Sequence, residues 1–116
     1  MRNPRDTLRQ QLTKAADTER ATLLNDLSYH LRTVNSDSAF ALASTALELS
    51  KQQNNREEEA RAYSNLSMAA LRTGRTDKAE SFQKLSLLTS RQLGDSLGTA
   101  TALNNLSSVY LAIGNH

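Results

Sequence analysis

Apolar residues return along this chain at intervals of three and four. In "ALNNLSSVYLAIGNH", residues 102–116, Leu103, Leu106, Tyr110 and Ile113 fall on one stripe, because 3.6 residues per turn brings positions three and four apart onto one helix face. Gly114 stands where a helix C-cap glycine is expected. The same periodicity upstream predicts six helices, at about 5–15, 18–33, 37–52, 56–73, 76–92 and 96–113. Asp37 and Thr76 are the expected N-caps, each with a side-chain oxygen for orphan amides, while "TG" at 73–74 and "LGD" at 93–95 are stops. The connections between these helices are short, which makes consecutive helices antiparallel neighbours.

The pattern is also periodic on a longer scale. "YSNLSMAALRTGRTD", residues 63–77, overlays "LNNLSSVYLAIGNH", residues 103–116, at a shift of forty, matching Asn65 to Asn105, Leu66 to Leu106, Ser67 to Ser107, Leu71 to Leu111 and Gly74 to Gly114. At the same shift residues 31–49 overlay 71–89, with Leu31, Arg32, Thr33, Asp37 and Ala39 on Leu71, Arg72, Thr73, Asp77 and Ala79. Before Leu31 the shift is thirty-nine, with Leu27 on Leu66 and Ser28 on Ser67, which places a missing residue inside the first helix of the first pair and leaves the orientation of Tyr29 and His30 open. A repeating helix pair is the unit of an α-solenoid. Small residues in the second helices, Ala39, Ala43, Ala46, Ala79 and Ser86, permit close approach, and Leu42, Leu47, Phe82 and Leu87 fill the space between neighbours.

These residues resemble the tetratricopeptide repeat. The run "NLS…AL…G…DKAE…S" in residues 65–86 is similar to that family's Leu-Gly…Tyr…Gly…Ala…Ala pattern, with Ser67 and Ser107 replacing the usual glycine, Ala70 in a common tyrosine position and Tyr110 keeping it. The resemblance implies an all-α, right-handed solenoid of antiparallel helix pairs: an N-terminal helix in 1–16, repeats over 17–55 and 56–95, and the first helix of an incomplete third repeat in 96–116. A forty-residue period exceeds the family's usual thirty-four or so. It is similar to the long variants of kinesin light chains, Leu-Gly-Asn-repeat regulators and the sensor regions of bacterial signalling proteins, the last looking nearest to "DTLRQQLTKAADTERATLLNDLSYHL" followed by "NSDSAFALASTALELS".

The resemblance further implies a concave groove lined by the first helix of each pair. It places Asn65, Met68 and Arg72, then Asn104, Asn105 and Ser108, toward that groove, with Arg61 and Thr101 at its edge. An asparagine amide both donates to and accepts from an extended peptide backbone, which suits such a groove, and it equally suits a bond to a neighbouring helix. Some relatives grip the carboxylate of chaperone tails with basic residues on successive first helices. Thr101 and Asn105 stand where those basic residues would be, so chaperone-tail binding is not expected.

Composition narrows the function classes. Of 116 residues, 38% are hydrophobic and 4% aromatic, enough for one domain with a modest core of Leu and Ala. The net charge is +2, and Arg2, Arg5, Arg9 and Lys14 against Asp6 place +3 of charge in the first fourteen residues. That basic stretch lacks interleaved aromatics or a reading motif, so no nucleic-acid partner is expected. With no cysteine, disulfides and thiolate metal sites are excluded. The longest apolar run, "AFALA" at 39–43, falls short of a membrane span, and "MRNPRDTLRQ" does not resemble a signal peptide. The cytoplasm is slightly favoured, with the periplasm open to a chain whose leader was removed.

Catalytic chemistry finds no foothold. His30 and His116 are far apart, "EEE" at 57–59 opens a helix where carboxylates complement the dipole, and "GRTDKAE" and "GDSLG" lack the strand and loop that cradle phosphate. No enzyme activity, metal or cofactor is expected. The expected function is a non-catalytic protein- or peptide-binding scaffold, the sensory or regulatory segment of a larger bacterial signal-transduction protein. The alternative is a structural module that oligomerises through its last helix. Each large side chain of the stripe Leu103, Leu106, Tyr110 and Ile113 left wet would forfeit about 1.5–3 kcal/mol. Either the chain is a fragment of a longer repeat protein, the favoured expectation, or another copy covers the stripe in a homodimer.

Overall fold

The computed structural model describes residues 4, 5, 7–9 and 17–114. Five complete helices follow one another: α1 (Asp17–Leu31), α2 (Ser36–Gln52), α3 (Arg56–Arg72), α4 (Thr76–Leu93) and α5 (Ser96–Gly114). Residues 4, 5 and 7–9 are helical as well, and Leu8 packs against the cluster of Leu27, Leu31, Ala39 and Ala69. The remainder of the helix expected at 5–15, and His116, lie outside the described residues. Each helix packs on the next, while α3 also touches α1 and α5, giving an all-α solenoid in which α1, α3 and α5 stand side by side.

The caps explain the boundaries. Asn35 Oδ1 accepts from Ser38 N at 3.1 Å and Asn55 Oδ1 from Glu58 N at 3.2 Å. Asp95 Oδ1 accepts from Gly98 N at 2.9 Å. Asp37 therefore lies in the first turn of α2 rather than at its cap, since Asn35 already satisfies the orphan amide; Thr76 begins α4 behind Arg75, which makes no side-chain cap bond. Asn54, Gly74 and Gly94 take left-handed φ values of 55°, 79° and 68°. Each lets the next amide reach five residues back: Asn55 N to Ser50 O at 2.8 Å, Arg75 N to Ala70 O at 2.8 Å and Asp95 N to Ser90 O at 3.0 Å. Gly114 has no such φ and is helical, the last of the described residues, so the expected C-cap conformation is not seen there.

The turn after α1 closes differently. Asn35 N bonds Leu31 O, four residues back, at 2.8 Å, with no left-handed residue between them. Leu31 is 3% exposed beside Ala39, and its counterpart against Ala79 is the fully buried Ala70, which keeps the shift at thirty-nine to the helix end. The missing residue thus belongs to the turn, where repeat 1 lacks the equivalent of Gly74, and not to the first helix. Tyr29 accordingly matches Met68.

Close approach runs through the alanines. Ala39, Ala43, Ala46 and Ala79 are fully buried, and Ser86 is nearly so. With no side chain beyond Cβ to hold the helices apart, Ser28 Oγ donates to Ala39 O and Ser67 Oγ to Ala79 O, both at 2.7 Å. Between repeats, Phe40 meets Phe82 edge-on at 6.1 Å, and Leu87 closes over Ala102 and Leu106.

The last helix divides its apolar residues. Ala102, Leu106 and Val109 are buried, and Ile113 packs against Val109, Ala70 and Ala79. Leu103 and Tyr110 are each 45% exposed, and Leu111 is 65% exposed. The expected stripe of Leu103, Leu106, Tyr110 and Ile113 is therefore split, because α5 turns a face at 102, 106, 109 and 113 to α3 and α4, leaving only Leu103 and Tyr110 of the four outside.

Candidate peptide groove

A groove of about 560 Å³ opens between α1, α3 and α5, floored by Ser86 and Ser90 of α4. Its central wall is α3, where Arg61, Asn65 and Met68 recur at spacings of four and three and share one helix face. Tyr29 and Arg32 close one end, while Glu57, Asp95 and Leu97 border the other. Thr101 and Asn105 form the α5 wall.

Asn65 serves the scaffold directly. Its Nδ2 donates to Asn25 O at 3.1 Å and Asn25 Oδ1 at 3.2 Å, and the fully buried Asn25 donates in turn to Glu58 O at 3.0 Å. A relay of amides so ties α1 to α3, while Asn65 Oδ1 accepts no bond from the described residues. Asn105 is half-buried in the neighbouring wall and makes no side-chain bond among them.

Arg61 is fixed rather than free. Its Nη2 lies 2.6 Å from Asp26 Oδ1 of α1, and its Nη1 lies 2.7 Å and 3.1 Å from the two oxygens of Glu58, whose side chain is only 8% exposed. Partial burial alone would lower the guanidinium's pKa; hydrogen bonds and Coulomb attraction from Asp26 and Glu58 outweigh it, and the net shift is upward. The run "EEE" thus does more than complement a helix dipole, since Glu59 also pairs with Arg56 at 3.3 Å, and Arg56 also bonds Gln92 of α4.

Two further features shape the walls. The Arg32 guanidinium sits 3.8 Å above the Tyr29 ring and donates to Tyr29 O at 2.7 Å, which flattens both side chains at the groove end. At the other end a Cβ on Gly98 would crowd the Asp95 carboxylate and lie 3.0 Å from Ser90 Oγ, so a larger residue there would push aside the carboxylate that caps α5.

Of the residues expected to face the groove, Arg61, Asn65, Met68, Thr101 and Asn105 line one space. Arg72, Asn104 and Ser108 do not. Arg72 is exposed one turn past Met68 at the end of α3, and Asn104 is rotated by about 100° from Asn105. Ser108 is exposed beyond the groove, its Oγ bonded to Asn104 O at 3.3 Å. Tyr29, Arg32, Ser64 and Leu97 are lining residues that sequence reasoning missed; the thirty-nine-residue shift, carried on to Met68, would have found Tyr29.

A family model for the tetratricopeptide repeat matches residues 58–116, half of the chain. The chain belongs to the tetratricopeptide-repeat family. No curated protein matches it. Repeats of this family are protein–protein interaction modules and typically not enzymes. No helix of the described residues is long and apolar enough to cross a membrane, and they contain no group of three or more His, Asp or Glu placed to hold a metal ion.

Proposed function

We propose that this tetratricopeptide-repeat chain is a non-catalytic scaffold that holds an extended segment of a partner protein in the groove between α1, α3 and α5. The observation that carries the reading is the pair of half-buried amides, Asn65 and Asn105, forty residues apart on neighbouring walls, one with an idle acceptor and the other with no side-chain bond among the described residues. Amides so placed satisfy a peptide backbone while Tyr29, Met68 and Leu97 supply apolar contact for side chains. Repeats divided at 17–55, 56–95 and 96–116 fit this use, each contributing one wall. The forty-residue period supports a place in the sensory or regulatory segment of a bacterial signal-transduction protein.

The test is selection of linear peptides from a random library on the full chain, followed by binding to Leu97→Glu and Tyr29→Glu, two exposed positions whose change leaves the core alone. Peptides that bind wild type and lose affinity for both variants support the reading; peptides indifferent to both place binding elsewhere. A second reading, a homodimer assembled through α5, draws on Leu103, Tyr110 and Leu111 sharing one exposed recess. Light scattering on Leu103→Glu with Tyr110→Glu tests it, because a dimer held by that recess would dissociate.

A further inference from the structure

The groove between α1, α3 and α5 is not electrically uniform along its length. Two of its lining residues are carboxylates, Glu57 and Asp95, and both stand at the end where α3 and α5 begin. Glu57 is exposed, and its carboxylate makes no bond among the described residues. Asp95 spends Oδ1 on the Gly98 amide at 2.9 Å, which leaves Oδ2 without a partner among them. Arg61, one turn further along α3, does not offset these charges: Asp26 and Glu58 share its single positive charge, so that trio carries a surplus carboxylate. Arg56 is likewise taken up by Glu59. Arg91 shares a separate recess with Asp95 and pairs with no carboxylate among the described residues.

The opposite end carries the reverse sign. Arg32 is the lining cation there, and no lining carboxylate stands beside it. Its guanidinium lies 3.8 Å above the Tyr29 ring, and Nη1 donates to Tyr29 O, so Nε and Nη2 keep hydrogens unengaged among the described residues. An arginine held in this way presents a planar fork to a carboxylate with little side-chain freedom left to lose. Arg72, exposed one turn past Met68, adds positive charge at the same end of α3.

Spacing turns the two charges into a motif. Glu57 and Met68 are eleven residues apart on α3, about 16 Å at 1.5 Å per residue, and Met68 shares its end of the groove with Tyr29 and Arg32. An extended chain covers that length in about five residues. We infer that the groove selects a segment of opposite charges: a lysine or arginine against Glu57 and Asp95, and an aspartate or glutamate about five residues away against Arg32. The inference rests on the peptide-binding reading above and adds the side chains that the peptide carries. A wholly acidic tail would set like charge against Glu57 and Asp95, and a wholly basic one against Arg32, so neither fits.

The probes are linear peptides selected from a random library on the full chain. Asn105→Ala, which changes no charge, reports whether a peptide sits in the groove. Peptides that lose affinity for it are expected to carry the spaced pair of charges. Glu57→Lys, at an exposed position with no bond to break, should weaken them about tenfold, and exchanging the peptide's basic residue for glutamate should restore binding to that variant. Arg32→Gln should erase the preference for an acidic residue, and Glu48→Lys, the same charge change on the exposed face of α2, should alter nothing. Groove-bound peptides without the charge pair, or a loss at Glu57→Lys that charge exchange in the peptide does not restore, would overturn this inference and leave the groove reading standing. Peptides indifferent to Asn105→Ala would overturn both.

Discussion

Arg61→Ala should destabilise the solenoid more than the loss of an ordinary surface arginine. Among the described residues, Arg61 alone pairs with both Asp26 of α1 and Glu58 of α3. The Asp26 contact lies between side chains that are 42% and 35% exposed, where an ion pair contributes about 0.2–1 kcal/mol. The Glu58 side chain is only 8% exposed, and leaving a buried carboxylate without its cation costs more, on the order of 1–3 kcal/mol after allowing for partial water access. The sum is about 2 kcal/mol, or a fall of about 1 M in urea midpoint for a domain of this size. Urea denaturation followed by far-UV circular dichroism reads it. Glu58→Gln in the Arg61→Ala background should return part of the loss, because a neutral amide removes the stranded charge. The arginine's raised pKa makes its contribution fully present below the unfolded value and lost only as strongly alkaline pH passes the folded one, so the Arg61 share stays flat between about pH 6 and 9. A midpoint change below about 0.3 M, or a double variant no more stable than Arg61→Ala, would refute the reasoning.

Other substitutions probe other joints of the structure. Ala79→Leu forces bulk into the contact where Ser67 meets the α4 backbone and should cost about 1–3 kcal/mol by the same assay. Gly94→Ala should cost about 1 kcal/mol because its φ is +68°, whereas Gly114→Ala, in a helical position with open space at its Cβ, should be neutral or stabilising. Leu103→Glu with Tyr110→Glu should leave the thermal midpoint nearly unchanged, while Leu106→Glu, which buries a charge beside Leu87 and Ala102, should unfold the last repeat.

The helices were legible because their signal is periodic and redundant: apolar positions recur through each one, and the bounds of α1 to α5 lie within two residues of those expected. The repeat was legible for the same reason, and with it the alanine column and the paired serines. Single-residue features were harder. Asn35 outcompetes Asp37 as a cap only because the preceding turn delivers it there, and that turn is one residue short for a reason invisible until Leu31 is seen to occupy the place of Ala70. The two-sided character of Asn65 was likewise open in the sequence, since donation to Asn25 requires two helices to meet at one level. On α5, an apolar stripe at spacings of three and four admits two overlapping readings, and only the position of Leu87 decides that Leu106 faces inward while Tyr110 does not. Gln83 shows the remaining gap. It fills the place that Ala43 holds in the first pair, donates to Ser64 Oγ at 3.1 Å, and keeps a buried Oε1 without a partner among the described residues.

Peptide binding through the amides of neighbouring groove walls is tested most directly at Asn105, whose side chain makes no bond among the described residues whose loss would disturb the fold. Titration calorimetry of a library-selected peptide into wild type and Asn105→Ala is the measurement. The account predicts an unchanged thermal midpoint with affinity lowered about tenfold, the effect of losing a desolvated hydrogen-bonding partner. Equal affinity for the two proteins would contradict it.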